Sequence, residues 1–192
     1  MTAAVKPTLK SVDASILQKK IALVDLIDAE SFKEVMSAFA DLYRIGVKVF
    51  DADGNKLVDI RVGNGQFCGY LWEFGATRQA CTKLVTGLKN DPFTLKDGVE
   101  QPKIVDCFSG LRYVVVPVHY EGDLMGRLIF GPYMPQGLAE PATGLYQIEP
   151  KIDRPKAVKL VEPVRKAPDE LVAKLLTQVS KIVEVLVFTS YR

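Results

Sequence analysis

The stretch from Arg112 to Tyr133 constrains this chain more than any other. It reads RYVVVPVHY, then EGD, then LMGRLIFGPY: two long apolar runs joined by a tight-turn tripeptide. Runs this rich in Val, Ile, Tyr and Phe, broken by Glu-Gly-Asp, are strands folded back on one another rather than one face of a helix. The run from Arg112 to Tyr120 is read as a buried strand. A shorter strand is expected just before them, over Lys103 to Cys107. It leads into DCFSGL, which places a thiol and a Ser-Gly pair at the mouth of the long strand.

A second hairpin is expected in VKVFDADGNKLVDIRV, where Val47 and Val49 flank Lys48 and DADGN supplies the turn. Its Asp-x-Asp-Gly-Asn lacks the later bidentate Glu of a calcium loop and is flanked by strands, so it is read as a turn. Helical spacing appears elsewhere. Ile16, Leu17, Ile21, Val24 and Ile27 predict a helix over 14–27 behind Asp13. Phe32, Val35, Met36, Phe39 and Tyr43 predict a second over Ala29 to Arg44, capped by Asp28 and ended by Gly46. After Gly63-Asn64-Gly65, read as a turn, helices are expected over Phe67–Phe74 and Thr77–Lys89. Asn90-Asp91-Pro92 stops the second of these. A last helix over 169–188 carries a wide apolar face. The Pro, Gly and Lys of 135–168 show little periodicity and are expected to be irregular.

Hairpins interrupted by a helical insert define the α+β class, with one antiparallel sheet and helices on a face and at an end. The expected organisation is a leader and helix over 1–27, a central domain over 28–134, the irregular segment 135–168 and a C-terminal helix over 169–192. An apolar fraction of 48% supplies a core without disulfide or metal staples. A net charge of +2 offers no basic footprint for direct nucleic-acid binding. No apolar run approaches the roughly 20 residues of a membrane span. The first residues, MTAAVKPTLKSVD, have no signal-peptide core, so the expected location is cytoplasmic.

Few residues can carry chemistry. His119 is the only histidine, and no phosphate loop, HExxH pair or GxSxG elbow is present. Cys68, Cys81 and Cys107 sit on three different elements, without the close Cys pair that opens most zinc sites. Three readings stand: buried small hydrophobes, a metal set in need of a fourth ligand, or redox-responsive thiols. The aromatic group Phe67, Tyr70, Trp72 and Phe74 either closes one side of the sheet or forms a lid over a small apolar cavity. Polar anchors for a ligand there would be Ser109, Arg112, Tyr113 and His119.

The stretch FCGYLWEFGATRQACTKL…PKIVDCFSGLRYVVVPVHYEGDLMGRLIFGPYM resembles the PocR-type sensory domain. The features that carry the resemblance are Cys68, Cys81, the Cys107-Phe108-Ser109-Gly110-Leu111 box, Pro117, Gly122, Gly126 and Gly131. It covers residues of about 28 to 134. It implies a PAS-like antiparallel sheet with a helical insert, flanked by N- and C-terminal helices, that senses small organic molecules in bacterial signalling proteins. It also implies that the three thiols meet at one site. Where the family's Cys box often continues with His, this chain has Phe108, so no fourth metal ligand comes with the resemblance.

The function expected is a non-enzymatic sensory module. Its ligand is a small organic molecule, lined by Cys68, Trp72, Cys81, Cys107, Ser109, Arg112, Tyr113 and His119, or a metal ion at Cys68, Cys81 and Cys107. Output is expected through an effector signalling protein, with a homodimer formed by the terminal helices and no membrane partner. The alternatives are an interaction adaptor with a filled pocket and a thiol-dependent enzyme using Cys107 with His119.

Overall fold

A computed structural model describes residues 23–190. The elements are α1 (Leu23–Leu26), α2 (Ala29–Tyr43), β1 (Val47–Asp51), β2 (Lys56–Ile60), α3 (Gly65–Trp72), α4 (Gly75–Asn90), β3 (Thr94–Lys96), β4 (Val99–Gln101), β5 (Lys103–Asp106), β6 (Arg112–Tyr120), β7 (Asp123–Pro135), α5 (Thr143–Ile148), α6 (Arg154–Val161), β8 (Lys166–Ala167) and α7 (Asp169–Ser190). The helix expected over 14–27 lies outside the described residues apart from α1.

β6 and β7 form the hairpin that organises the sheet, with Val115 opposite Ile129 and Val116 opposite Leu128. Five strands pair antiparallel in the order β2-β1-β7-β6-β5, and the two residues of β8 add a parallel pairing to the end of β7. Between β2 and β5 the chain leaves the sheet to build α3, α4 and the small β3–β4 hairpin. The fold is therefore α+β and PAS-like, with the helical insert in the expected place.

Side chains alternate across a strand, so β6 and β7 each serve two cores. Val114, Val116, Val118, Leu128 and Phe130 point to one face. Phe32 and Met36 of α2 and Val172, Leu176, Val179 and Val183 of α7 cover them. Tyr113, Val115 and Ile129 point to the other, joined by Phe50 of β1, Leu88 of α4 and Phe93. Burial on both faces explains why these strands read as unbroken apolar runs. A third cluster packs Phe67, Tyr70 and Leu71 of α3 against Leu145 of α5 and Ala157 and Val161 of α6.

Local chemistry sets the element ends. Asp28 caps α2 by accepting the Ser31 N–H at 3.0 Å. That helix ends at Arg44, in the left-handed region at φ 58°, rather than at Gly46. Asp51 uses its carboxylate on the N–H groups of Asp53 and Asn55, at 3.0 and 2.8 Å. The DADGN segment is thus a side-chain-stabilised turn.

The segment 135–168, expected to be irregular, holds α5, α6 and β8. Asp153 caps α6 by accepting from Lys156 N, with Pro155 in the first turn. Helices of six and eight residues are too short to print a clear period, and these are held by packing on α3.

Candidate functional site

The insert brings its cysteines to the face of the sheet that carries Tyr113. Cys68 lies on α3, where its backbone N–H donates to Asn64 O at 2.9 Å. Cys81 lies on α4. Two fixings hold that helix over the sheet. At its start Thr77 Oγ1 donates to the Leu71 carbonyl, and Arg78 Nε donates to Trp72 O at 3.0 Å. At its end Arg127 Nη1 donates to the carbonyls of Leu88 and Asp91, at 3.3 and 3.0 Å, while its guanidinium lies 4.8 Å from the Phe93 ring centre. Lys103 Nζ adds a bond to Asp91 O at 3.2 Å. Two cations at the carbonyl end of a helix also match its dipole.

Cys107 enters from the sheet side, at the end of β5. Its N–H donates to Leu111 O at 2.7 Å, and Gly110 N–H donates back to Cys107 O at 2.9 Å. Closing so tight a turn needs Gly110 at φ 89°, where an added Cβ would meet Leu138 at 2.7 Å. Ser109 is buried; its hydroxyl donates to Cys107 Sγ at 3.2 Å, and its carbonyl accepts from Ala142 N. The Ser-Gly pair therefore does two jobs: it turns the chain into β6 and holds the thiol inward. Cys107 packs against both the α3–α5–α6 cluster and the Tyr113–Ile129 cluster.

The three thiols and the Tyr113 hydroxyl are near enough to act on one another. Burial raises the Cys107 thiol, opposed by the Ser109 bonds and reinforced by Cys68. Burial, with Cys107 and Cys68, pushes Cys81 up to about 12. Cys68 is raised by burial against the Asn64 bond and the charges of Lys48 and Arg61. Tyr113 is pushed well up by burial, then by all three thiols. All four groups are thus protonated and neutral at physiological pH. Among the described residues no group of three or more His, Cys, Asp or Glu side chains is arranged to hold a metal ion.

Of the residues singled out in the sequence, Cys68, Cys81, Cys107, Ser109 and Tyr113 come together. Trp72 is 48% exposed at the end of α3. Arg112 instead binds Asp106 at 2.8 Å and Asp169 at 2.7 Å, and Tyr133 donates to the second Asp169 oxygen at 2.9 Å. His119 pairs with Glu100 at 2.9 Å. It lies seven residues along β6 from Arg112, roughly 20 Å from the thiol end of the strand.

Asn64 is the site residue that sequence reasoning passed over. It belongs to the Gly63-Asn64-Gly65 turn, yet its side chain is buried and its Nδ2 donates to Cys68 Sγ at 3.4 Å. The available signal was an Asn directly before a helix that carries a cysteine in its first turn. An apolar recess of ≈ 10 Å³ lies apart from the thiols, on the opposite face of the sheet, lined by Tyr43, Val47, Phe130 and Val172 among others. It has room for about one water.

The strand order, the insert between the second and third strands of the sheet and the polar group beneath it define a PAS-like domain. The chain belongs to the family of the sensory domain found in PocR, whose family model matches residues 25–191. That match runs beyond residue 134, through α5, α6, β8 and α7. No curated protein matches the chain. No helix among the described residues is long and apolar enough to cross a membrane.

Proposed function

We propose that this sensory domain binds a small organic molecule between α3, α4 and the Tyr113 face of the sheet, and reports occupancy to a protein partner through α7. One observation carries the reading: Cys68 and Cys107 pack in one cluster with the apolar side chains of α3, Cys107 also touches the Tyr113 cluster, and the buried Asn64 donates to Cys68. Neutral thiols and a phenol beside apolar residues suit an organic ligand, since such pockets combine apolar walls with a few placed polar groups. The same protonated thiols make poor nucleophiles, and the distance to His119 denies Cys107 a base. Both features support a role without catalysis.

The route outward starts beside Cys107. Its chain neighbour Asp106 holds Arg112, and Arg112 holds Asp169, the first residue of α7. Occupancy that moves the strand end shifts the anchorage of α7, which biases two states rather than creating a new one. The partners in this reading are a second copy of the chain and an effector protein.

Native mass spectrometry of the freshly purified protein tests the reading. The expected result is a retained small-molecule adduct on a dimer of the 21.2 kDa chain. A mass equal to that of the bare chain, with no thermal shift across a metabolite library, would favour an interaction adaptor instead.

A further inference from the structure

The sheet ends on one side at β5, whose far edge meets no strand among the described residues. Just past that strand, Cys107 N–H donates to Leu111 O, toward β6. Amide groups alternate between the two sides of an antiparallel strand. Val105 and Lys103 therefore also address β6, while Ile104 and Asp106 aim their N–H and C=O groups off the open edge. Side chains alternate as well. Ile104 stands opposite Val114, on the face that α7 covers, but α7 lies over β6 and leaves Ile104 51% exposed.

An open edge is normally guarded by charge. The opposite edge, β2, carries such a guard in Asp59 with Lys48, Lys56 and Arg61. The charges of β5 are engaged within the chain. Lys103 Nζ donates to the Asp91 and Pro92 carbonyls, at 3.2 and 3.4 Å, and Asp106 holds Arg112. What faces outward is a β-branched aliphatic side chain between outward amide groups.

We propose that a second copy of this chain pairs antiparallel on β5, with Ile104 of one copy opposite Ile104 of the other. This rests on the second-copy partner of the reading above and gives that partner a surface. A two-fold axis perpendicular to the sheet keeps each side chain on its own face, and only two registers then match the outward amides. An axis at Val105 sets Ile104 against the charged Asp106. An axis at Ile104 buries the two exposed side chains on each other, so this register is the one assigned. The Ile104 residues exchange two N–H···O bonds, and each Asp106 N–H donates to the Pro102 carbonyl of the other copy. Pro102 has no N–H to return, which ends the ladder there. The two α7 helices then lie on one face, three strand spacings or roughly 14 Å apart, with the Ile104 pair between them.

The test uses the full chain, with light scattering and amide exchange by NMR. Ile104→Lys sets two ammonium groups opposite each other, and Ile104→Val keeps the apolar pair. The wild type and the Val variant are expected at twice the 21.2 kDa chain mass. The Lys variant should dissociate with a constant raised roughly thirtyfold or more. The Asp106 amide should exchange about tenfold slower in the wild-type dimer than in the Lys variant, while the Val105 amide, bonded to β6 in both, is unchanged. Diluting the wild type until it dissociates should speed Asp106 equally, which frees the test from the folding of any variant. A dimer that Ile104→Lys leaves intact, or an Asp106 amide equally fast in dimer and monomer, overturns the β5 edge and leaves the second-copy reading standing. A wild type that stays monomeric at high concentration overturns both.

Discussion

Cys81 gives a quantitative check on the electrostatics of the site. Burial and its two thiol neighbours raise it from 9.0 to about 12. At pH 8 a thiol of ordinary pKa is about one-tenth thiolate, whereas one near 12 is about one ten-thousandth. That is a thousandfold loss of the reactive form. A more basic thiolate attacks faster, with a Brønsted slope near 0.5, which restores roughly 30-fold. Alkylation of Cys81 by iodoacetamide at pH 8 is therefore expected to run roughly 30-fold slower than that of a cysteine in a reference peptide. Its rate should climb about tenfold per pH unit past pH 10 without levelling. Timed quenching, digestion and mass spectrometry of the Cys81 peptide give both numbers. Slow access of the reagent would lower the rate without moving the pH at which it levels, so the two causes separate. The double variant Cys68→Ser/Cys107→Ser removes the two thiolates that form at alkaline pH, and should speed Cys81 at pH 10. A plateau near pH 9, or parity with the reference peptide, would refute the gathering of the thiols in a water-poor site.

Three further outcomes follow from the packing. Ile129, 1% exposed beneath α4, should lose about 2–5 kcal/mol on replacement by Ala, read as a lower urea midpoint with unchanged slope. Arg127→Met should remove the side-chain donor of the Leu88 carbonyl and leave Asp91 O to Lys103 alone, costing about 1–3 kcal/mol and speeding amide exchange at the end of α4. Cys68, Cys81, Cys107 and Tyr113 all hold their protons more tightly folded than unfolded. Above about pH 9 the unfolded chain binds fewer protons than the native one, so stability must fall as pH rises from there; denaturant midpoints constant between about pH 8 and 11 would contradict this.

The long apolar runs on either side of Glu121-Gly122-Asp123 were sufficient to place the central hairpin, because strands buried on both faces carry few polar residues to break the run. The spacing of Phe32, Val35, Met36, Phe39 and Tyr43 located α2 in the same way. Cysteines on α3, α4 and the end of β5 were equally legible as positions. That they meet was an implication of resemblance and not of spacing, since their separation along the chain says nothing of how α3 and α4 fold back.

The three-dimensional packing alone decided the rest. Thr143–Ile148 and Arg154–Val161 became helical because α3 offered an apolar wall to helices too short to stand alone. Arg112 was taken up by Asp106 and Asp169, the latter 57 positions along the chain, so no local pattern could reveal the pair. Asn64 stands at the N-cap position of α3 but makes no cap bond, its side chain donating to Cys68 instead. Burial patterns are written in neighbouring residues and survive in a linear reading. Hydrogen-bond partners are chosen by proximity after folding, and the residues that define a binding site belong mostly to that second kind.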